Sequence, residues 1–470
     1  MSQFSAEIRR SHEWWVQYTE KEARKEWATS ALERTWIVQT PSQQSSVKLS
    51  QRQVDYVLDE LEGYAALRDE HARCQVSCFE RIWESDNLLD LSETAELVKA
   101  LELLKSEVSL CDDGITRYFV DHRLYPLIYN KTLVSQLNGR FLRPVSPPPS
   151  TDVYTVSPNF TFLPSDVFVS SDASSVKFIS YINNLHPQTH RNTYRLLENL
   201  LARFIPLFEH SLTDLHRNNH LVQRIAGHCR YTIWDEPEPP EHSDDEDGWT
   251  NYERALREWT MNRPINLPDV PHTGYPGGLE KRRFNVKLRN RTLQIIVSAL
   301  EIELSPQRST FSGSVWHVEG MRSERIVACG FHCLSIDNIT ETLLKFRMAV
   351  TYPRGFSAGD TGATLRTWGI RDGDSCHQPI VSTANVAPQQ KSWMHKALDD
   401  NLDTRLPHEV IEKILENVEG VMTSQEAEEY RKKLVEANEQ FTLANNSYHF
   451  CIPFDIWNGP EMWSLRKGKV

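Results

Sequence analysis

The stretch 284–305, FNVKLRNRTLQIIVSALEIELS, is where the character of the chain changes. Phe284, Val286 and Leu288 alternate with polar residues, and LQIIVSALEIEL then continues as a β-branched, apolar run. Both patterns belong to strands rather than helices. The segments VWHVEGM (315–321), RIVACGFHCLSI (325–336) and LLKFRMAV (343–350) follow in the same manner, with no helical punctuation between them. Closely spaced strands of this kind predict a sandwich or barrel of the jelly-roll type.

On either side of this region the sequence reads as helix. Residues Ala6 to Ala31 carry Ile8, Trp14, Trp15, Tyr18 and Trp27 among many charges, with no Pro or Gly to interrupt them. Val54, Val57, Leu58, Leu61 and Leu67 recur at the spacing of an amphipathic helix. A further helix is expected to open near Ser92 and Glu96, and a long one from about His190. RPVSPPPSTD (143–152) is a stiff connector, and DEPEPPEHSDDEDGW (235–249) reads as a solvated acidic loop. The predicted class is α+β, in four regions. These are a helical N-terminal region at 1–143, a helical and linker region with the acidic loop at 144–283, strands at 284–390, and a helical C-terminal region at 391–470.

Composition excludes several function classes. The chain has 470 residues and a net charge of −12, the wrong sign for a nucleic-acid surface, so no nucleic-acid partner is expected. No apolar run is long enough for a transmembrane helix, and MSQFSAEIRRSHEWWVQ lacks a signal-peptide core, so neither a membrane nor secretion is expected. The expected compartment is cytoplasmic or nuclear, where thiols stay reduced. Cys74/Cys78 and Cys329/Cys333 are then read as buried structural thiols rather than zinc knuckles.

His317 and Glu319 are the candidate site. On a strand, residues two apart face the same side, so an imidazole and a carboxylate would converge like two legs of a metal tripod. Spacing alone decides nothing. With 17 histidines and 64 acidic residues in 470, about two His-x-acid pairs arise by chance, and the chain has two, the other being His242–Asp244.

Context comes from longer motifs. SVWHVEGMRSERIVACG (314–330), NITETLLKFR (338–347) and IVSTANVAPQQKSW (380–393) resemble segments of the fungal family known as domain of unknown function 4246. SCFERIWESDNLL (77–89), VDHRLYPLIYNKT (120–132) and KFISYINNLHP (177–187) resemble it too. The resemblance covers most of the chain from about residue 50. It implies a C-terminal part similar to the double-stranded β-helix of Fe(II)/2-oxoglutarate dioxygenases, flanked by helices. His317 and Glu319 would then be the first histidine and the carboxylate of the iron site. Fe(II) and 2-oxoglutarate are the cofactors implied, by this resemblance only.

The chain departs from that family in one place. The family carries a segment like FPNxxQHRV and a later GHRK, resembling the second iron histidine and the arginine for 2-oxoglutarate. Here LRTWGIRDGDSCHQPIVSTANVAPQQ (365–390) runs straight through, so the β-helix would be partial, with late strands missing near 375–377. Two donors hold Fe(II) poorly, and a carboxylate co-substrate loses its fork-shaped partner. His377 and His332 are the local surrogates for a third ligand, and Arg347 and Arg366 for the anion site. No residue is assigned a catalytic role, and no substrate or partner is specified. The reading is an oxygenase-like protein inactive as written. Beside it stand a binding or structural pseudoenzyme, and an active oxygenase should the transcript contain the missing segment.

Other chemistries lack their motifs. There is no H-E-x-x-H helix and no G-x-x-x-x-G-K-[ST] loop.

Overall fold

A computed structural model describes residues 1–39, 44–78, 80–136, 141–149, 156–219, 222, 224, 230–231, 237–242, 245–262, 265–266, 269–321, 323–340, 342, 344, 346, 381–401 and 406–448. The helix Gln51–Leu67 organises the N-terminal region. Ser50 accepts from the Gln53 amide at 3.3 Å while Gln53 returns a bond to the Ser50 amide at 3.1 Å, a reciprocal cap that satisfies two orphan donors. Its buried face, Val54, Val57, Leu58, Leu61 and Tyr64, packs against Phe4, Ile8, Trp14 and Ala31. Each fully buried side chain of this size contributes about 1.5–3 kcal/mol.

The N-terminal residues form not one helix but three, Ser2–Arg10, Trp14–Gln17 and Lys21–Glu33. The first break lies at Glu13, whose φ is +52°. The break turns Trp14 inward, where it is 1% exposed and donates to Gln75 Oε1 at 3.0 Å. Burial of the indole outweighs helix continuity. The next helix, Leu91–Glu102, starts one residue ahead of Ser92, because Asp90 caps the Glu93 amide at 2.8 Å. The acidic stretch also ends differently from expectation: Glu246–Asn262 is a helix, with Asp245 accepting from the Gly248 amide at 2.8 Å. Acidic residues at a helix N-terminus complement its dipole, so the same charges that suggested a loop favour this helix start.

The strand region pairs with the first half of the chain. Arg291–Ile295 lies antiparallel to Ser165–Val169, which pairs in turn with Val176–Phe178. The chain then switches sheets, and Ala299–Ile302 pairs with Thr116–Val120, with a register shift between Ala299 and Leu300. The described sheets are small and antiparallel, and none closes. The long helix Arg191–Leu215 covers Val167, Val169 and Val176 with Leu201, Phe204 and Ile205.

The expected strands at 315–321 and 325–336 have no ladder partner among the described residues. The second of them lies across the long helix in an alternating manner. Ile326 and Leu334 pack inward, while Val327, Phe331, Cys329 and Cys333 are exposed. A helix surface offers side chains but no free backbone groups, so a chain laid on it can alternate without forming a sheet. Cys329 and Cys333 do share a face, but it is the outer one; of the other pair, Cys74 is buried and Cys78 half-buried. Gly330 marks the closest approach, since a Cβ there would sit 2.7 Å from Phe204 Cε1. Gly330→Val is therefore expected to lower stability by about 1–3 kcal/mol, read from the urea unfolding midpoint.

Residues 381–390 return to the core. Ser382, Thr383, Val386, Gln389 and Gln390 are buried, and Gln389 Nε2 donates to the carbonyl of Tyr125 at 3.1 Å. The helix Ser424–Tyr448 follows, with Ala427 and Leu434 packed on Phe160 and Phe162. No helix among the described residues is long and apolar enough to cross a membrane.

Candidate functional site

His317 and Glu319 converge as their spacing predicted. His317 Nε2 lies 3.2 Å from Glu319 Oε1, and His317 Nδ1 lies 2.7 Å from the Val315 carbonyl. The backbone here is extended but unpaired, so the convergence comes from two-residue periodicity without a sheet to hold it. The hydrogen bond to Glu319 raises the His317 pKa to about 9, against the opposing effect of partial burial. The same bond holds the Glu319 carboxyl below its usual range. With both ring nitrogens facing acceptors, the pair is a hydrogen-bonded ion pair at neutral pH.

Two neighbours of Glu319 escape a reading of the sequence. His122, just past the strand Thr116–Val120, is close enough to exchange electrostatic influence with Glu319. Its Nδ1 is buried with no hydrogen-bond partner among the described residues, and its ring packs edge-on against Phe162 at 4.7 Å. Glu324 is 6% exposed and accepts from the amides of Met321 at 2.5 Å and Phe162 at 3.3 Å. A Cβ on Gly320, whose φ is +75°, would meet Glu324 Oε2 at 2.6 Å, so the chain passes close over this carboxylate. VDHRLYP and the acidic spacing of EGMRSE were visible, but nothing local says that residue 122 meets residue 319.

Burial pulls His122 and Glu324 in opposite directions. It lowers the His122 pKa to about 4 and raises that of Glu324 to about 7. Between about pH 4 and 6.5 the folded chain keeps His122 neutral where the unfolded chain protonates it, so this histidine costs stability as pH falls. Between about pH 4.5 and 7 the folded chain keeps Glu324 protonated where the unfolded chain ionises it, so this carboxyl costs stability as pH rises. His122→Gln is expected to lose less stability than the parent between pH 6.5 and 4.5, and Glu324→Gln to lose less between pH 5 and 7. Thermal unfolding across the range reads both differences; parallel profiles for parent and variants would contradict the assignment.

The proposed surrogates are placed unequally. His332 sits under Phe204, ring centroids 6.5 Å apart, with Nε2 buried and without a hydrogen-bond partner among the described residues. No contact joins it to the His317–Glu319 pair among those residues. His377, Arg347 and Arg366 lie outside the described residues, as does Asp244, whose partner His242 is exposed. Two further groups bring three donor atoms within 4.8 Å of one another: Asp69, Cys74 and His210, and His395, His408 and Glu412. In the first, His210 Nε2 is already bonded to Asp69 Oδ2 at 2.9 Å, and burial pushes the Cys74 thiol up to about 12, so it is no nucleophile.

The family described as "Protein of unknown function (DUF4246)" matches residues 51–377, and the chain belongs to it. No curated protein and no solved structure matches the chain. The matched span includes His122, His317, Glu319, Glu324 and His332 and ends at residue 377, so the IVSTANVAPQQKSW segment lies beyond it.

Proposed function

We propose that this DUF4246 protein carries the remnant of an Fe(II)/2-oxoglutarate dioxygenase site and acts by binding rather than by oxygenase turnover. In that reading the strand region is a partial jelly roll, and His317 with Glu319 is what remains of the iron ligands. The observation that carries it is the 3.2 Å contact between them, with the second ring nitrogen held by the Val315 carbonyl. In this ion pair both imidazole nitrogens carry protons, so neither offers a lone pair to a metal. The described residues do not fit a facial iron site, because no third donor joins the pair directly and His332 is turned to Phe204. The sequence also lacks the FPNxxQHRV-like and GHRK-like segments, so no oxygenase step is assigned to any residue.

The test is 2-oxoglutarate turnover by the full chain with added Fe(II) and ascorbate. Succinate formation no greater than for His317→Ala is expected. Turnover that His317→Ala abolishes would overturn the proposal.

A second reading, an active oxygenase from a longer transcript, draws on one observation. The family match stops at residue 377, beside the junction where the missing segment would stand. Sequencing the transcript across the codons for Gly369 to Ile380 decides it. Extra in-frame sequence supplying a histidine and an arginine would favour the active enzyme, and an uninterrupted junction would exclude it.

A further inference from the structure

Beyond the family-matched span, two short helices bring together a different set of donors. Lys391–Asn401 and His408–Glu416 pack against each other. His395 projects from the first helix, and His408 and Glu412, one turn apart, from the second. Their donor atoms all lie within 4.8 Å of one another. His395 Nε2 is 3.8 Å from Glu412 Oε1, and the His395 and His408 ring centroids are 5.3 Å apart. We propose that His395, His408 and Glu412 form a binding site for a divalent transition-metal ion of the zinc class, clamping the two helices together.

The arrangement around the three donors supports this assignment. His395 Nδ1 lies 3.1 Å from Asp399 Oδ2, one helical turn along its own helix. A carboxylate on one ring nitrogen fixes the tautomer and leaves the other nitrogen's lone pair for a metal, which is the usual second partner of a metal-bound imidazole. That free nitrogen is the one facing Glu412. Lys391 Nζ holds the other oxygen of Glu412, Oε2, at 3.0 Å, so Oε1 stays turned toward His395. Zinc bonds of about 2.0–2.2 Å to nitrogen and oxygen place tetrahedral ligands roughly 3.3–3.6 Å apart, within reach of modest side-chain rotations here. Two imidazoles and a carboxylate suit Zn²⁺, Co²⁺ or Ni²⁺ and select against Ca²⁺ and Mg²⁺, which want oxygen ligands throughout. His408 is exposed, so the remaining coordination positions open to water. This site is remote in sequence from His317 and independent of the oxygenase-like reading.

The test uses the full chain after chelator treatment, titrated with Zn²⁺ calorimetrically and with Co²⁺ by visible absorption. His408→Gln, an exposed substitution, is expected to weaken Zn²⁺ binding at least tenfold and to remove the Co²⁺ bands. Asp399→Asn is expected to weaken binding about ten- to a hundredfold by releasing the His395 ring. His317→Ala is expected to leave it unchanged. Zn²⁺ should raise the melting temperature of the parent and of His317→Ala, but not of His408→Gln. Absence of Zn²⁺ and Co²⁺ binding, or binding that survives His408→Gln but is lost in His317→Ala, overturns the proposal.

Discussion

Arg224→Ala is expected to lower the unfolding free energy by about 3–5 kcal/mol, the cost of stranding a buried charge. The stranded partner is Glu60, 1% exposed on the helix Gln51–Leu67. Arg224 covers both of its oxygens, with Nε at 2.9 Å and 2.7 Å and Nη2 at 2.6 Å. Its remaining donors reach Ser2 Oγ at 2.8 Å and the Tyr64 hydroxyl at 3.2 Å. One guanidinium thus ties the chain's first turn, its organising helix and residue 224 into one unit. Burial works against the Arg224 charge, yet Glu60 more than offsets it and holds the pKa well above its ordinary value. Planar, forked geometry is what lysine cannot reproduce, so Arg224→Lys should recover only part of the loss. An apolar pair in place of both charges removes the stranded group, and Arg224→Met with Glu60→Leu should therefore cost less than Arg224→Ala alone. Urea unfolding of the three variants provides the measurement. A loss below about 1 kcal/mol for Arg224→Ala would show the pair to be as solvated as a surface salt bridge.

Local physics was legible in the sequence and long-range encounters were not. Val54, Val57, Leu58 and Leu61 announced a helix, and those positions are buried. His317 and Glu319 were expected to meet because extended chains repeat every two residues, and they do so at 3.2 Å. Errors arose where two local signals competed. Asp90 captured the helix start from Ser92 with a carboxylate whose charge the helix N-terminus favours, and the acidic run before Trp249 served a helix N-terminus while its composition suggested a loop. The Trp14 turn shows tertiary burial overriding helix propensity. What no window could reveal is the pairing of residue 293 with 167, of 301 with 117, or of Arg224 with Glu60. His122 near Glu319 belongs to the same class. Each depends on a topology that distributes one region's strands over partners supplied by another, and periodicity carries no information about partners.

The C-terminal helix depends on one of these distant encounters, and Asp121→Asn is expected to release it. Asp121 is 3% exposed, just past the strand Thr116–Val120. Arg123 grips it with two parallel bonds, Nε to Oδ1 at 2.8 Å and Nη2 to Oδ2 at 2.9 Å. Arg431, from the helix Ser424–Tyr448, adds Nε to Oδ2 at 2.8 Å and keeps Nη1 on Glu428 at 2.9 Å. One carboxylate therefore bonds two guanidinium groups in a mostly buried setting, with Glu428 supplying the second negative charge. Burial alone would raise its pKa, but the two arginines outweigh that and hold it below the usual range. A depressed carboxyl stabilises the fold above its unfolded pKa of about 3.9, and this contribution fades as pH falls through the lower folded value. Asparagine keeps the shape and removes the charge, leaving Arg123 and Arg431 as facing cations. The expected loss is about 3 kcal/mol at pH 7, from the upper range for hydrogen bonds to charged groups. The difference from the parent should begin to shrink below about pH 4, where the unfolded chain's aspartate takes up a proton that the folded one still refuses. The loss should also be regional. Met422, Ala427 and Leu434 pack on Phe160 and Phe162, so releasing Arg431 exposes that seam. Hydrogen exchange should then quicken at the amides of residues 427–434 more than in the helix Gln51–Leu67. Equal acceleration of both segments would mean that Asp121 supports the whole fold rather than docking this helix, and unchanged exchange at 427–434 would remove Asp121 from the account of its attachment.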